Sequence, residues 1–494
     1  MLRQHERTSV TEPGHSRVVL LITVDSLRAD ELSRPDAAAV APTLTALRDA
    51  GTTFTDAHAH GNWTPFSFPS ILGTDHVFRD GPDIGIGGPP TLATHLGEAG
   101  VATGGFNAAN GFLSSHWGYD RGFDRFRTCL EGGRVVSSRY LTAHPTVQAW
   151  LQFLAAPARG ALARMRGRDR HPGERASKLQ CVETAARSFL RTADTPLFCW
   201  LHYMDLHTPY VPAPKHVRSV TDDATGYVRL LRSHVNAGLG RAVTEDALES
   251  LRTLYRAALA QVDASVRRVL DTLAAEGLRD ETTVILTGDH GEEFLDHGHL
   301  AHYPKVYDEL THVPLVVDSP RHDARTVDDV VGLDSIPPTV SELLDVDPGA
   351  EFVGDSLVPT VAGRESPAQE PVLSLAVRGA EVTEQPIPRS LDAGDPVVSA
   401  RTDRFTYIYD AGRDAAELYD RQTDPGEGDE CLESFAADPR VGRLRSAVDR
   451  YLARLGGGGH AADAEGVGPE DHPSSTDGDP DATVERRLAA LGYR

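Results

Sequence analysis

The sequence predicts an α/β protein with a mostly parallel central sheet flanked by helices, and a smaller antiparallel sheet after it. Three observations carry that expectation. Two runs of strand length, VVLLITV at 18–24 and TTVILTG at 282–288, are β-branched and nearly free of polar relief, as strands covered on both faces are. Before the second run, LYRAALAQVDASVRRVLDTLAAEGL places apolar residues three and four apart and ends at Gly277, so a long amphipathic helix is expected over about 244–277. Near 395–420, PVVSARTDRFTYIYD alternates like an antiparallel meander.

Taken in order, the first strand ends in Asp25. APTLTALRDAG and PTLATHLGEAG each open with Pro and close with Gly, as helices do, and VATGGF is a short strand. Residues 130–195 are Arg-rich and weakly periodic, which suits an insertion or helical cover. PLFCWLHYMDLH is a further apolar strand that runs into polar residues. Strand, helix, strand, helix is the pattern of a parallel sheet covered on both faces. The expected organisation is a disordered tail over 1–16, an α/β domain over 17–370, an α+β subdomain over 371–455, and an acidic Gly/Asp/Pro-rich tail with a short terminal helix over 456–494.

Lys and Arg total 49 against 72 Asp and Glu, a net charge of −23. That balance disfavours nucleic acid and anionic membrane as partners, because no basic footprint exists to neutralise phosphates. Only Lys178, Lys215 and Lys305 are lysines. Acid excess with scarce lysine suits a protein that stays soluble in concentrated salt. Cys129, Cys181, Cys199 and Cys431 are scattered without a C-x-x-C spacing, so neither a disulfide scaffold nor a zinc ribbon is expected. The first residues carry no apolar signal region, and the longest apolar run is too short to cross a bilayer. Together these readings predict a reduced, cytoplasmic protein without a transmembrane segment.

In open parallel sheets, ligands bind beyond the carboxyl ends of the strands. Asp25 lies at one such end, Asp289 and His290 at another, and His202, Asp205 and His207 near a third. Hard oxygens with one imidazole suit a divalent cation, with Mn, Zn, Mg and Ca all compatible. A cation lowers the pKa of a coordinated oxygen, so a hydroxyl beside it can act as a nucleophile. The stretch GNWTPFSFPSILGT at 61–74 carries no acid and no base but several hydroxyls, and FPSILG reads as the start of a helix. Thr64, Ser67 and Ser70 are the candidates there, and spacing alone does not choose among them. The histidines at 58, 60, 76, 297 and 299 are expected to be solvated loop residues or supports for ligands. Asp263 is expected to be a structural hydrogen-bonding acid.

The segments VVLLITVDSLRADEL, NWTPFSFPSILGT, LHYMDLHTPY, TVILTGDHGEEFLDHG, KVYDELTHVPLVV and ELYDRQTDPGE, in that order, resemble the sulfatase family of the alkaline-phosphatase-like superfamily. The resemblance covers roughly 17–455, with 130–195 outside it. It implies hydrolysis or transfer of sulfate or phosphate esters at a divalent metal, the substrate being a small molecule or a glycan or lipid ester. Carried over by position, Asp25, Asp289 and His290 match metal ligands, Thr64 the nucleophile, and His207 the histidine that contacts the charged group of the ester. His302 lies near the position of a catalytic Lys or His, with Lys305 as rival. The family's second N-terminal Asp is Ser26 here. Thr64 replaces the Cys or Ser that becomes formylglycine, and Phe68 replaces the Arg of C-x-P-S-R. Thr nucleophiles resemble those of the superfamily's phosphoglycerol transferases and phosphodiesterases. Asp205 and His207 stand two residues apart, where two-metal relatives have four, which points to one ion. A degenerate protein that only binds an anionic glycan is the alternative of another class.

Overall fold

A computed structural model describes residues 16–79, 81–88, 90–108, 110–129, 178–221, 243–302, 304–379 and 389–455. The expected terminal tails and most of the Arg-rich segment fall outside these residues. The strands are β1 (Val18–Val24), β2 (Thr52–His58), β3 (Ala102–Asn107), β4 (Arg125–Thr128), β5 (Leu197–Tyr203), β6 (Thr282–Gly288), β7 (Glu293–Phe294), β8 (Leu300–Ala301), β9 (His312–Asp318), β10 (Arg325–Gly332), β11 (Val372–Gly379), β12 (Gly394–Arg401), β13 (Phe405–Asp410) and β14 (Ala415–Asp420).

Eight of them form one sheet in the order β10-β2-β9-β6-β1-β5-β3-β4. Only β9 runs against its neighbours, β2 and β6. β1 lies between β5 and β6, parallel to both, with Val24 level with Tyr203 and Gly288, so three carboxyl ends finish side by side. All seven residues of β1, of β5 and of β6 are buried, which is why these segments lack a polar face.

Alternation sends the two faces of the sheet into separate cores. Val18, Leu20, Ile22 and Val24 pack with the helices Pro42–Ala50, Leu179–Thr192 and Glu245–Ala275. Val19 and Leu21 pack with Phe198, Trp200 and the helices Thr64–Leu72, Leu92–Glu98 and Ile336–Leu343. The long helix starts where Thr244 caps it by accepting from the Ala247 N–H at 3.2 Å, with Glu245 and Asp246 at the positive end of its dipole. Asp263 of that helix in turn accepts from the Thr43 and Leu44 N–H groups at 2.7 and 2.9 Å, capping Pro42–Ala50 across the core.

A second, antiparallel sheet in the order β11-β12-β13-β14 packs on the helix Pro439–Leu455. It reaches the larger sheet through the chain just before Thr64: Ser374 Oγ donates to the Ala59 carbonyl at 2.6 Å, and the Leu375 N–H to the His60 carbonyl at 2.9 Å.

The structure corrects two expectations. Cys129 and Cys181 form a disulfide, across 52 residues of sequence. The pairing follows from tertiary packing, since Leu179–Thr192 lies against β3, β4 and β5 and brings Cys181 to the end of β4. No motif spacing encodes that encounter. His58 and His60 are buried rather than solvated, enclosed where β2 passes under the smaller sheet. Among the described residues, no helix is long and apolar enough to cross a membrane.

Candidate active site

Three strand ends and one helix end build the site. Asp25 follows β1, Asp289 and His290 follow β6, and all three side chains are fully buried with one ligand atom each lying within 4.8 Å of the others. The turn after β1 is tight: Ser26 adopts φ 59, a left-handed conformation that costs a non-glycine residue energy. Hydrogen bonds hold it there. Its N–H donates to Asp289 Oδ1 at 3.1 Å, its Oγ to Asp25 Oδ1 at 3.0 Å, and its carbonyl accepts from the Tyr255 hydroxyl at 2.6 Å. At the end of β6, a side chain on Gly288 would stand 2.5 Å from the Leu27 carbonyl oxygen, so only glycine lets the two turns approach.

Thr64 opens the helix Thr64–Leu72, every residue of which is buried. Pro65 sits in the first turn, where a missing N–H removes no helical hydrogen bond. Burial on all sides explains the neutrality of the stretch, because an ionised side chain there would lose its hydration without a partner. The Thr64 hydroxyl donates to Asp25 Oδ2 at 3.1 Å and lies 3.4 Å from His290 Nε2. Ser70 Oγ donates within the helix to the Ser67 carbonyl at 2.6 Å. Thr64 is therefore the hydroxyl that the fold brings to the two acids and the imidazole.

The His290 ring has a defined orientation. Its Nδ1 lies 2.8 Å from the Gly291 carbonyl, an acceptor, so Nδ1 carries the proton and Nε2 turns its lone pair toward Thr64 and toward Asp289 Oδ2, 3.7 Å away. Burial holds His290 below the ordinary imidazole range. Burial also pushes the Asp289 carboxyl well up, reinforced by the charge of Asp25. At Asp25 burial acts in the same direction, but His207, His202 and His290 outweigh it and hold the carboxyl far below its usual range. Two carboxyl groups thus share a dry site, one held ionised and the other pushed toward its neutral form.

Two buried atoms there lack any hydrogen-bond partner, Asp289 Oδ2 and His202 Nε2. Asp289 Oδ1, by contrast, accepts from the N–H groups of Ser26 and His290. An unpaired carboxylate oxygen, a second carboxylate and a lone-pair nitrogen facing one point are the donor set that a divalent cation satisfies.

A row of imidazoles leads outward. The His302 ring centroid stands 5.1 Å from those of both His290 and His207. Lys305, the rival for the position of His302, donates instead to the His297 carbonyl at 2.7 Å and is surrounded by Glu293, Glu309 and Glu417. Asp205 accepts from Gln261 Nε2 at 2.7 Å, a contact with the long helix rather than with the acids.

His202, expected near the third strand end, lies inside β5 with Nε2 3.6 Å from Asp25 Oδ2. One neighbour of the site escaped the sequence reading. Glu292, fully buried, stands 3.4 Å from His302 Nδ1 through one oxygen and accepts from the Tyr210 hydroxyl through the other. Its signal was a second acid directly behind the Asp-His pair.

The Sulfatase family model matches residues 17–346. Over 202 residues the chain is 26% identical to the delta 4,5-hexuronate-2-O-sulfatase of Bacteroides thetaiotaomicron, covering 39% of this chain and 38% of that protein. It is 32% identical over 118 residues to arylsulfatase K of Bos taurus, covering 24% and 22%. The matched part thus spans under two-fifths of the length of these curated relatives. Among solved structures, the phosphonate monoester hydrolase of Agrobacterium radiobacter superposes with a TM-score of 0.66 at 19% identity, covering 89% of this chain and 96% of that one. The enzyme of the same name from Silicibacter pomeroyi gives 0.63 at 20%, covering 88% and 94%. These likenesses concern the fold.

Proposed function

The chain belongs to the sulfatase family, and from that premise we propose that it is a metal-dependent hydrolase of sulfate or phosphate esters with Thr64 as nucleophile. The observation that carries this reading is the buried Thr64 hydroxyl at a helix N-terminus, within 3.1 Å of one acid and 3.4 Å of an imidazole. Asp25, Asp289, His290 and the Thr64 oxygen would hold one divalent ion, its identity open among Mn, Zn, Mg and Ca. When bound, such an ion supplies positive charge that favours an ionised oxygen and offsets the two carboxylates.

The chain's own residues divide the remaining work. Asp25 Oδ2 takes the hydrogen bond of the Thr64 hydroxyl and aims its lone pair. Thr64 Oγ1 gives up its proton along the hydrogen bond to Asp25 Oδ2 and bonds to the sulfur or phosphorus as the bond to the leaving oxygen breaks, and water then releases sulfate or phosphate and returns the proton to Thr64. The N–H groups of the first helical turn favour the developing negative charge. His207 and His302 neutralise the non-bridging oxygens, and one of them protonates the departing alcohol.

The names of the curated relatives, a hexuronate sulfatase and a choline-sulfatase among them, favour a sulfated sugar or small molecule. Threonine at the nucleophile position favours phosphate, and an alcohol in place of water would make the same site a phosphotransferase. The acidity of the chain extends the proposal to activity that persists in concentrated salt. A cytoplasmic location, expected from scattered cysteines, is opposed by the Cys129–Cys181 pair.

The test is peptide mass spectrometry after incubation with matched aryl sulfate and aryl phosphate esters. The expected result is a sulfate or phosphate on Thr64, and turnover in Thr64→Ala lower by on the order of 10⁴-fold with folding retained. Modification of Ser67 or Ser70 instead would overturn the assignment. Unchanged function in Thr64→Ala would make the chain a binding protein for anionic glycans.

A further inference from the structure

A second group of metal-ligating side chains lies at the other flank of the Thr64 helix. His60 precedes that helix, His76 follows it, and Asp334 lies in the turn after β10, with one ligand atom from each within 4.8 Å of the others. We propose that His60, His76 and Asp334 bind a structural zinc ion, separate from any ion at the catalytic acids, that ties together the two ends of the helix carrying Thr64.

The orientation of His60 is the decisive observation. Its Nδ1 stands 2.7 Å from the Leu373 carbonyl oxygen, so that nitrogen is the proton donor. In the neutral ring Nε2 is then a bare lone pair. It lies 3.1 Å from Asp334 Oδ1, yet it has no hydrogen-bond partner, although His60 is only 2% exposed. A buried imidazole nitrogen that stands beside a carboxylate oxygen but is not aligned to hydrogen-bond with it is placed to share a cation that both can ligate.

The other distances agree. His76 Nε2 lies 3.0 Å from Asp334 Oδ2. Zinc bonds of about 2.0–2.2 Å in a tetrahedron put neighbouring ligand atoms about 3.3 Å apart, close to the 3.1 Å from His60 Nε2 to Asp334 Oδ1 and the 3.0 Å from His76 Nε2 to Oδ2, so the carboxylate offers one oxygen toward each imidazole. Two imidazoles and a carboxylate form a set that suits zinc better than the harder ions. A side chain on Gly332 would stand 2.5 Å from His60 Nε2 and 2.6 Å from Asp334 Oδ1, so glycine keeps that approach open. His76 also borders a cavity of about 290 Å³ lined in part by Thr74, Asp75 and Arg79.

The experiment uses the full chain, stripped with chelator, in an Asp289→Asn/His290→Gln background that disables the catalytic ligands. Zinc is added, excess is removed by gel filtration, and bound metal is counted. One zinc per chain is expected in that background, falling to none when His76→Gln or Asp334→Asn is added. No bound zinc in the background protein would overturn the proposal, as would a count that neither added substitution lowers. Should the added variants fail to fold, X-ray absorption at the zinc edge on the background protein decides. Two imidazoles with a carboxylate uphold the site and any other ligand set refutes it. Failure of the catalytic reading would appear separately, as unmodified Thr64 in the wild-type chain.

Discussion

Two buried charged regions of this molecule differ in one respect, whether their polar atoms are paired. Where the smaller sheet meets the larger, Arg401 is fully buried and its guanidinium is well matched. Nε donates to Thr406 Oγ1 at 3.1 Å, one terminal nitrogen to Thr311 Oγ1 at 2.8 Å, and the other to Glu427 Oε1 at 2.8 Å. The second oxygen of Glu427 accepts from the Asp308 N–H at 2.8 Å. At the strand ends, Asp25 and Asp289 repel each other while Asp289 Oδ2 and His202 Nε2 stay unpaired. A charge matched by its own chain holds the fold together. Charges left unmatched inside the core mark a place prepared for something the chain does not supply.

Neutralising one charge in each region breaks the comparison if the two behave alike. Arg401→Leu should cost about 3–5 kcal/mol, because Glu427 is then a buried anion without its partner. Asp289→Asn, in metal-stripped protein, should change stability by less than about 0.5 kcal/mol, since it removes a repulsion instead of a pair. Urea unfolding of both variants beside wild type measures the gap. A loss of several kcal/mol in Asp289→Asn would show that this acid is structural and that the contrast is false.

A smaller effect sharpens the boundary of the functional region. Glu292 touches His302 and Tyr210 but none of the acids at the centre, so it positions His302 rather than reacting. Glu292→Gln should lower kcat by about 10–100-fold, the cost found when a partner that orients a site imidazole is removed. The KM should move little, and Glu292→Asp, which keeps a carboxylate near His302, should recover part of the lost kcat. Equal kcat in Glu292→Gln and wild type would return Glu292 to a purely structural role.

What could be read in advance followed from local pattern. β1 and β6 declared themselves by unbroken apolar runs, and the acids at their ends by standing where ligands of parallel sheets bind. Thr64 at a helix start was legible from the Pro and hydroxyl pattern, but spacing did not choose it over Ser67 and Ser70; the family resemblance did, and the structure adds a contact 39 residues back to Asp25. His202 was harder, because a strand places alternate residues on opposite faces and one sequence does not say which face meets a site. Lys305 and His302 lie three residues apart, and only the β7–β8 hairpin, in which Ala301 pairs with Glu293, separates their surroundings. Cys129 and Cys181 meet because a helix crosses three strands, information that no spacing contains.

The smallest expected effect belongs to the paired region and has a definite sign. Burial alone would lower the His297 imidazole, but the Glu309 carboxylate at 2.8 Å and the Glu427 carbonyl at 3.0 Å outweigh it and raise its pKa to about 9. The unfolded imidazole titrates near 6.5. A group whose folded pKa is raised contributes its full stabilisation below the unfolded value and loses it as pH climbs through the folded one. Stability should therefore decline between about pH 6.5 and 9, and His297→Gln should flatten that decline while lowering stability at pH 6. If unfolding midpoints of the wild type stay level across that window, His297 is not held by its partners as a matched charge, and the rule drawn from Arg401 does not extend along this interface.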